Sequence, residues 1–383
     1  MQRGKIKNRL LDYWLGIPLL NLTAAVMKAG SRREVPRSVQ RMGLICSPAL
    51  GDTLLFSAVA QDIQKQYPDV ELIHFCMKQN LAAAELIPWR ARRVIIDLTK
   101  PSACVQAIRS ERLDVLLDFT SWQRLTAFYS LLSGAKFTGG FRTDGQRRSR
   151  GYDLAVEHRA DRHEVDNFRA VLNSLNIPVG SSPAVELRSL QNEPFKNHND
   201  IVVFHPWASG TRNWLREWPQ KYWVSAAKQI AGPETLFVIT GAPSDMVRAE
   251  PFAELLRSSG LEATTFVGSD GFNTLAHILK RARVVLSVNT GVMHLAAAVG
   301  ARTVSINGPN RNGRWGPVGR FAIGVEAPGE GCGYLHLGFE FEGRPSDCME
   351  RITPDMVVAA VKGIEKPFCS SHERYSISSK PNP

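Results

Sequence analysis

No run of about 20 uninterrupted apolar residues occurs in this chain, so no membrane-spanning helix is expected from it. It has neither the GxxxxGK[ST] loop that cradles nucleotide phosphates nor the GxGxxG fingerprint of dinucleotide folds. Kinase, ATPase and nicotinamide-dehydrogenase chemistry lose ground accordingly. No Asp-x-Asp pair is present to hold a divalent metal on a diphosphate. Cysteine is sparse, with six residues scattered at 46, 76, 104, 332, 348 and 369. Cys46 and Cys76 sit in apolar, strand-like runs, where a thiol behaves as a small buried hydrophobe. The spacings show no disulfide framework, which fits a reducing cytosol. Cys332, His336 and Cys348 fall short of four ligands and match no standard zinc spacing. No metal is assigned, and the sequence leaves open whether these three bind one.

What is present describes a soluble globular chain. Its 383 residues are 44% hydrophobic and 22% charged, and the length suits two α/β domains rather than one. The formal net charge of +11 is concentrated near the start. Residues 1–41 carry nine Lys/Arg against Asp12 and Glu34. Between the basic clusters lies LLDYWLGIPLLNLTAAVM, which superficially resembles a signal peptide. Asp12 and Pro18 interrupt its apolar core, and no small-x-small cleavage site follows cleanly. Residues 1–40 are therefore expected to form a basic amphipathic leader. Either residues 1–36 lie on an anionic membrane surface or the segment packs on the protein's own flank.

Beyond the leader, apolar strand patterns alternate with helical ones. The rhythm runs over residues 41–185, pauses in a polar, Pro-containing stretch near 178–199, and restarts over 200–366. This predicts two Rossmann-like parallel-sheet domains facing each other across a cleft, followed by a disordered tail at 370–383. Residues 284–298, VVLSVNTGVMHLAAA, read as a buried strand, a small polar turn and a helix. A strand that opens directly into a helix aims free backbone N–H groups outward, and with the helix dipole these favour phosphate. Asn289, Thr290, Gly291 and His294 are the candidates there. A histidine on such a helix is equally suited to simple packing.

Other strand ends supply further candidates. CSPALGDTLLFSA places Gly51 and Asp52 where the first strand meets its helix, at the edge that faces the cleft in folds of this kind. Asp52 suits general-base work, and Asp also suits a helix N-cap. HPWASGTRNWLREWP follows the strand ending at His205. Its turn Ser209-Gly210-Thr211 permits close phosphate approach, and Arg212 and Arg216 can grip a diphosphate through paired hydrogen bonds. Gly241 ends another strand at the same edge. A basic loop with Arg142, Arg147 and Arg148 can bind an anionic acceptor or simply be solvated. Nothing supports a nucleic-acid partner, because no recognised motif or interleaved aromatic pattern accompanies the charge.

Three blocks together resemble the bacterial ADP-heptose:lipopolysaccharide heptosyltransferases, glycosyltransferase family 9. LGDTLLFSA at 50–58 is similar to the family's Gly-Asp block. HPWASGTRNWLREWP at 205–219 resembles its His-Pro-Gly…Lys-x-Trp-Pro block. LAHILKRARVVLSVNTGVMHLAAAVGARTVSINGP at 275–309 resembles its Asp-Thr-Gly-x-x-His-Leu-x-Ala-Ala block. The resemblance implies a GT-B fold with acceptor on the N-terminal domain and sugar nucleotide on the C-terminal one. It implies inverting, metal-independent transfer without a cofactor, from a sugar-nucleotide co-substrate such as ADP-heptose to an anionic glycolipid or oligosaccharide acceptor. Carried over by position, Asp52 is the catalytic base, Arg216 takes the diphosphate-lysine position, and Thr290, Gly291 and His294 belong to the donor block. Asn289 stands where the family commonly has Asp, which bears on the donor. The expected location is cytoplasmic, at the inner face of the cytoplasmic membrane. The alternatives are a GT-B-like sugar-nucleotide epimerase and a non-catalytic nucleotide-sugar sensor.

Overall fold

Parallel strands covered by helices on both faces have no solvated side, so they read as unbroken apolar runs. Val284–Val288 is such a run, and all five of its residues are buried. The computed structural model describes residues 10, 12–14, 16–27, 33–268 and 271–365. The disordered tail expected at 370–383 lies outside the described residues, as do residues 1–9 and 28–32 of the leader.

A leader helix, α1 (Gly16–Met27), precedes the first α/β unit. That unit runs β1 (Arg41–Ile45), α2 (Leu50–Gln66), β2 (Glu71–Cys76), α3 (Leu81–Ala84), β3 (Arg92–Ile95) and α4 (Pro101–Ser110). It continues with β4 (Val115–Asp118), α5 (Arg124–Leu132), β5 (Phe137–Thr143), β6 (Leu154–His158) and α6 (Glu164–Asn173). Residues 174–199 then form no helix or strand. The second unit starts with β7 (Asp200–His205), α7 (Gln220–Ile230), β8 (Thr235–Gly241), α8 (Met246–Ser258), β9 (Glu262–Val267) and α9 (Gly271–Arg281). It ends with β10 (Val284–Val288), α10 (Gly291–Ala298), β11 (Thr303–Asn307), α11 (Asn312–Trp315), β12 (Ala322–Glu326) and α12 (Pro354–Glu365).

The strand orders are β3-β2-β1-β4-β5-β6 and β12-β11-β10-β7-β8-β9, and every ladder is parallel. Each sheet is thus a doubly wound Rossmann sheet whose order reverses once, beside β1 and β4 in the first and beside β7 and β10 in the second. Ligands bind outside the carboxyl ends of strands at such switch points. The domains meet through α2 and α10, whose side chains Leu54, Val292 and Leu295 belong to one buried cluster. The approach needs glycine on both sides. A Cβ on Gly291 would lie 2.9 Å from Leu50 Cβ and 3.2 Å from the Gly51 backbone nitrogen, closer than packed atoms sit.

The leader docks on the first domain. Asp12, Gly16, Leu20 and Ala24, four residues apart, form a buried stripe along one side of the helical leader. Leu20 and Ala24 pack with Ala127, Leu131 and Tyr152. Asp12 forms a buried ion pair with Arg124 at 2.7 Å and accepts the Arg124 backbone N–H at 3.0 Å. The opposite side exposes Leu10, Tyr13, Trp14, Leu19 and Leu22.

Two expectations are corrected. Cys332 and Cys348 are joined in a disulfide, against the expectation of no disulfide framework. The fold brings their Cα atoms to 5.8 Å, and bonded sulfurs are not thiolate ligands for a metal with His336. Arg148, expected to meet acceptor, points into the first domain. It pairs with Asp118 at 2.9 Å, and both residues are fully buried.

Candidate active site

A cleft of about 700 Å³ opens between the two switch points. The first domain contributes Ser47–Asp52 and Gln79. The second contributes Ser209–Thr211, Arg216, Asn289–Gly291, His294, Asn310, Trp315, Leu335 and Gly338. Such a volume suits a small organic ligand with a few fixed polar contacts.

Two helix N-termini flank this cleft, and neither is capped by the side chain of its own N-cap residue. Helix α2 starts after Ala49, and α10 starts after an extended Thr290 whose side chain makes no cap bond. Their first N–H groups have no intrahelical partner, and the two dipoles add positive potential at the cleft. Asp52 is not the N-cap. It is the third residue of α2, 5% exposed, and lines the cleft. The arrangement therefore holds a carboxylate on one wall and an anion-binding helix end on the other.

The turn after β7 completes the anion side. Gly210 takes φ +96, which a side chain would resist, and Arg216 hydrogen-bonds the Ser209 carbonyl. This holds the guanidinium against the turn whose residues line the cleft. His294 lies against Gly51, whose added Cβ would sit 2.9 Å from the imidazole Cδ2. Burial pulls the His294 pKa down to about 3, with His163 adding to the effect, so the ring is neutral near pH 7. It packs against Gly51 and lines the cleft as a neutral ring.

Asn289 has a structural reason for being an amide. Its NH₂ donates to the Trp315 backbone carbonyl at 2.8 Å and to Asn307 Oδ1 at 2.9 Å. A backbone carbonyl accepts only from a donor, so a carboxylate at this position would face it without a proton to share. The substitution that the family resemblance marks at 289 is therefore matched by the carbonyl at the end of α11.

Of the sequence candidates, Gly51, Asp52, Ser209, Gly210, Thr211, Arg216, Asn289, Thr290, Gly291 and His294 line this one cleft. Arg212, Gly241, Arg142, Arg147 and Arg148 are not among its lining residues. Arg212 is exposed, in left-handed backbone with φ 49. Gly241 instead permits close packing, since a Cβ there would lie 3.0 Å from the Trp207 ring. Arg142 and Arg147 are exposed elsewhere on the first domain. Sequence reasoning missed Gln79, Leu335 and Gly338, which reach the cleft from loops with no periodic pattern, and Trp315, at the end of the one-turn helix α11. Asn310 carried a signal in its Gly-Pro-Asn turn.

Residues 102–334, more than half of the chain, match the family model described as glycosyltransferase family 9 (heptosyltransferase). The chain belongs to glycosyltransferase family 9. Among the family's curated proteins, lipopolysaccharide heptosyltransferase 1 of Pseudomonas aeruginosa is 24% identical over 251 residues, 64% of this chain and 64% of that protein. The match spans a little under two thirds of that relative's length. The solved Escherichia coli ADP-heptose lipopolysaccharide heptosyltransferase II superposes with a TM-score of 0.68 at 16% identity, covering 85% of this chain and 98% of its own. Escherichia coli heptosyltransferase WaaC with ADP gives 0.63 at 18%, covering 85% and 99%. The two facing Rossmann domains are thus a GT-B fold.

Arg216→Ala in this family 9 protein should weaken a nucleoside diphosphate far more than its nucleoside. A charge-assisted hydrogen bond to phosphate contributes roughly 1.5–3 kcal/mol. Calorimetry with the two ligands makes the comparison, and equal losses would place Arg216 outside the phosphate site.

Proposed function

We propose that this protein is an inverting, metal-independent glycosyltransferase that moves heptose from ADP-heptose onto a lipopolysaccharide-core acceptor. One observation carries the reading: Asp52 and the uncapped start of α10 line the same cleft from opposite domains. In the proposed step, an acceptor hydroxyl attacks the anomeric carbon as Asp52 takes its proton. The bond to the β-phosphate breaks on the opposite face, and ADP leaves. Arg216 and the N–H groups of Gly291 and its neighbours would meet the charge growing on the diphosphate. No cofactor enters this step. The family names point to the donor, since the relatives are described by ADP-heptose, ADP and lipopolysaccharide.

Purified protein mixed with ADP-heptose should release ADP only when a heptose-free core oligosaccharide is added. Release without acceptor would indicate a different reaction. Turnover of another nucleotide sugar in preference to ADP-heptose would overturn the donor.

The same reading places the enzyme on the cytoplasmic face of the inner membrane, where an anionic glycolipid acceptor is anchored. Among the described residues, no helix is long and apolar enough to cross a membrane. The leader's outer side supports surface attachment instead. Trp14 and Leu22 are each 69% exposed, in a segment rich in Lys and Arg. Trp14→Ser with Leu22→Ser should reduce co-sedimentation with anionic vesicles at low salt and leave the melting temperature unchanged. Each buried apolar side chain contributes about 1.5–3 kcal/mol to such binding. A wild-type protein that ignores anionic vesicles would end the membrane reading.

A further inference from the structure

Beside the cleft lies a second cavity of about 430 Å³, and the two share Leu335. Its walls come from both domains: Ala160 and Asp161 from the first, and segments 311–314 and 331–344 from the second. Three arginines line it, Arg311, Arg314 and Arg344, together with His336. The single carboxylate, Asp161, is already held by Arg159 through bonds of 3.0 and 2.6 Å.

Arg314 anchors the site. It is 1% exposed, pairs with Glu164 across the domain boundary at 2.7 Å, and sits 3.9 Å over the Trp315 ring that lines the neighbouring cleft. Its Nε donates to His336 Nδ1 at 2.9 Å, while its Nη1 is buried with no hydrogen-bond partner. Burial holds His336 down to about pKa 4, so its ring is neutral near pH 7. With Nδ1 accepting, the ring proton resides on Nε2. Arg311 and Arg344 are exposed, and among the described residues neither pairs with a carboxylate. The Cys332–Cys348 disulfide closes the segment that carries Gly333 and Arg344. Holding these groups in place reduces the ordering that a ligand would otherwise impose.

We infer that this cavity binds an oxyanion of the phosphate or carboxylate class, gripped by Arg311 and Arg344 over the buried Arg314. Guanidinium forks match that ligand geometry, and among the described residues neither Arg311 nor Arg344 is engaged by a carboxylate. The anion can be a group on the acceptor or a free ion. Only the first source rests on the glycosyltransferase reading above.

The test uses the full-length protein with ADP saturating the first cleft and inorganic phosphate as the probe. Phosphate should raise the wild-type melting temperature further. Arg311→Ala with Arg344→Ala should weaken phosphate binding roughly tenfold or more while preserving the shift caused by ADP. Absence of a phosphate shift in the wild type, or an equal shift in the double variant, overturns the site. If ADP itself does not bind, the nucleotide reading fails separately, and the same wild-type and variant comparison without ADP still decides the pocket. Kinetics on a phosphorylated core acceptor and its dephosphorylated form assign the source. A KM rise limited to the phosphorylated form places the anion on the acceptor. Unchanged KM with lost phosphate binding makes it a free ion.

Discussion

Asp52→Asn should reduce transfer by about 10²–10⁴-fold while donor affinity stays near wild type. The acceptor hydroxyl has to lose a proton as its oxygen bonds to the sugar, and Asp52 is the carboxylate lining the cleft at the first domain's switch point. Asn keeps the shape of the side chain but cannot take that proton. The fold should tolerate the change, because Asp52 is not the N-cap of α2 and Asn is nearly isosteric with it. Turnover, donor titration and a melting curve on one preparation separate the possibilities. A variant turning over within a fewfold of wild type would remove Asp52 from catalysis. A variant that fails to bind donor would instead show that Asp52 organises the cleft.

The legible parts of this molecule are those where local pattern and tertiary environment agree. Val284–Val288 is uniformly apolar because helices cover it on both sides, and its limits in the sequence coincide with the strand observed. The strand-turn-helix units at 45–52 and 288–294 showed where backbone N–H groups would be free, and these are the segments that meet at the cleft. Edge strands were less visible. Leu154–His158 and Ala322–Glu326 each carry a glutamate and are half exposed, so neither reads as a buried run. The disulfide was hidden because only the fold brings residues 332 and 348 together. Leu335 and Gly338, within the segment it closes, could not be placed in the cleft from spacing alone. At Asn289 the sequence showed a departure from the family, and the reason lay in the carbonyl of Trp315, distant in sequence.

Charge counting misled most clearly at Arg148, where the structure makes an opposing and larger prediction. Arg148→Ala should destabilise the first domain by about 3–5 kcal/mol, the usual result of removing one member of a buried ion pair. Asp118, fully buried at the end of β4, would keep the Tyr152 hydroxyl at 2.6 Å and the Thr120 backbone N–H at 2.8 Å but lose its guanidinium. Arg148 also donates to the Thr120 hydroxyl at 2.8 Å, which would lose that donor. For a domain of this size, each kcal/mol lowers the melting temperature by roughly 2–4 °C, so a fall on the order of 10 °C is expected. Arg148→Lys should not restore it, because one ammonium cannot reproduce a planar fork that reaches Asp118, Thr120 and Tyr152 together. Exposed Arg147 provides the internal control, and Arg147→Ala should leave the melting temperature unchanged. An acceptor-binding role for Arg148 predicts the reverse pattern, an unchanged melting temperature with a raised acceptor KM. That result would mean the side chain leaves its buried partners to meet substrate.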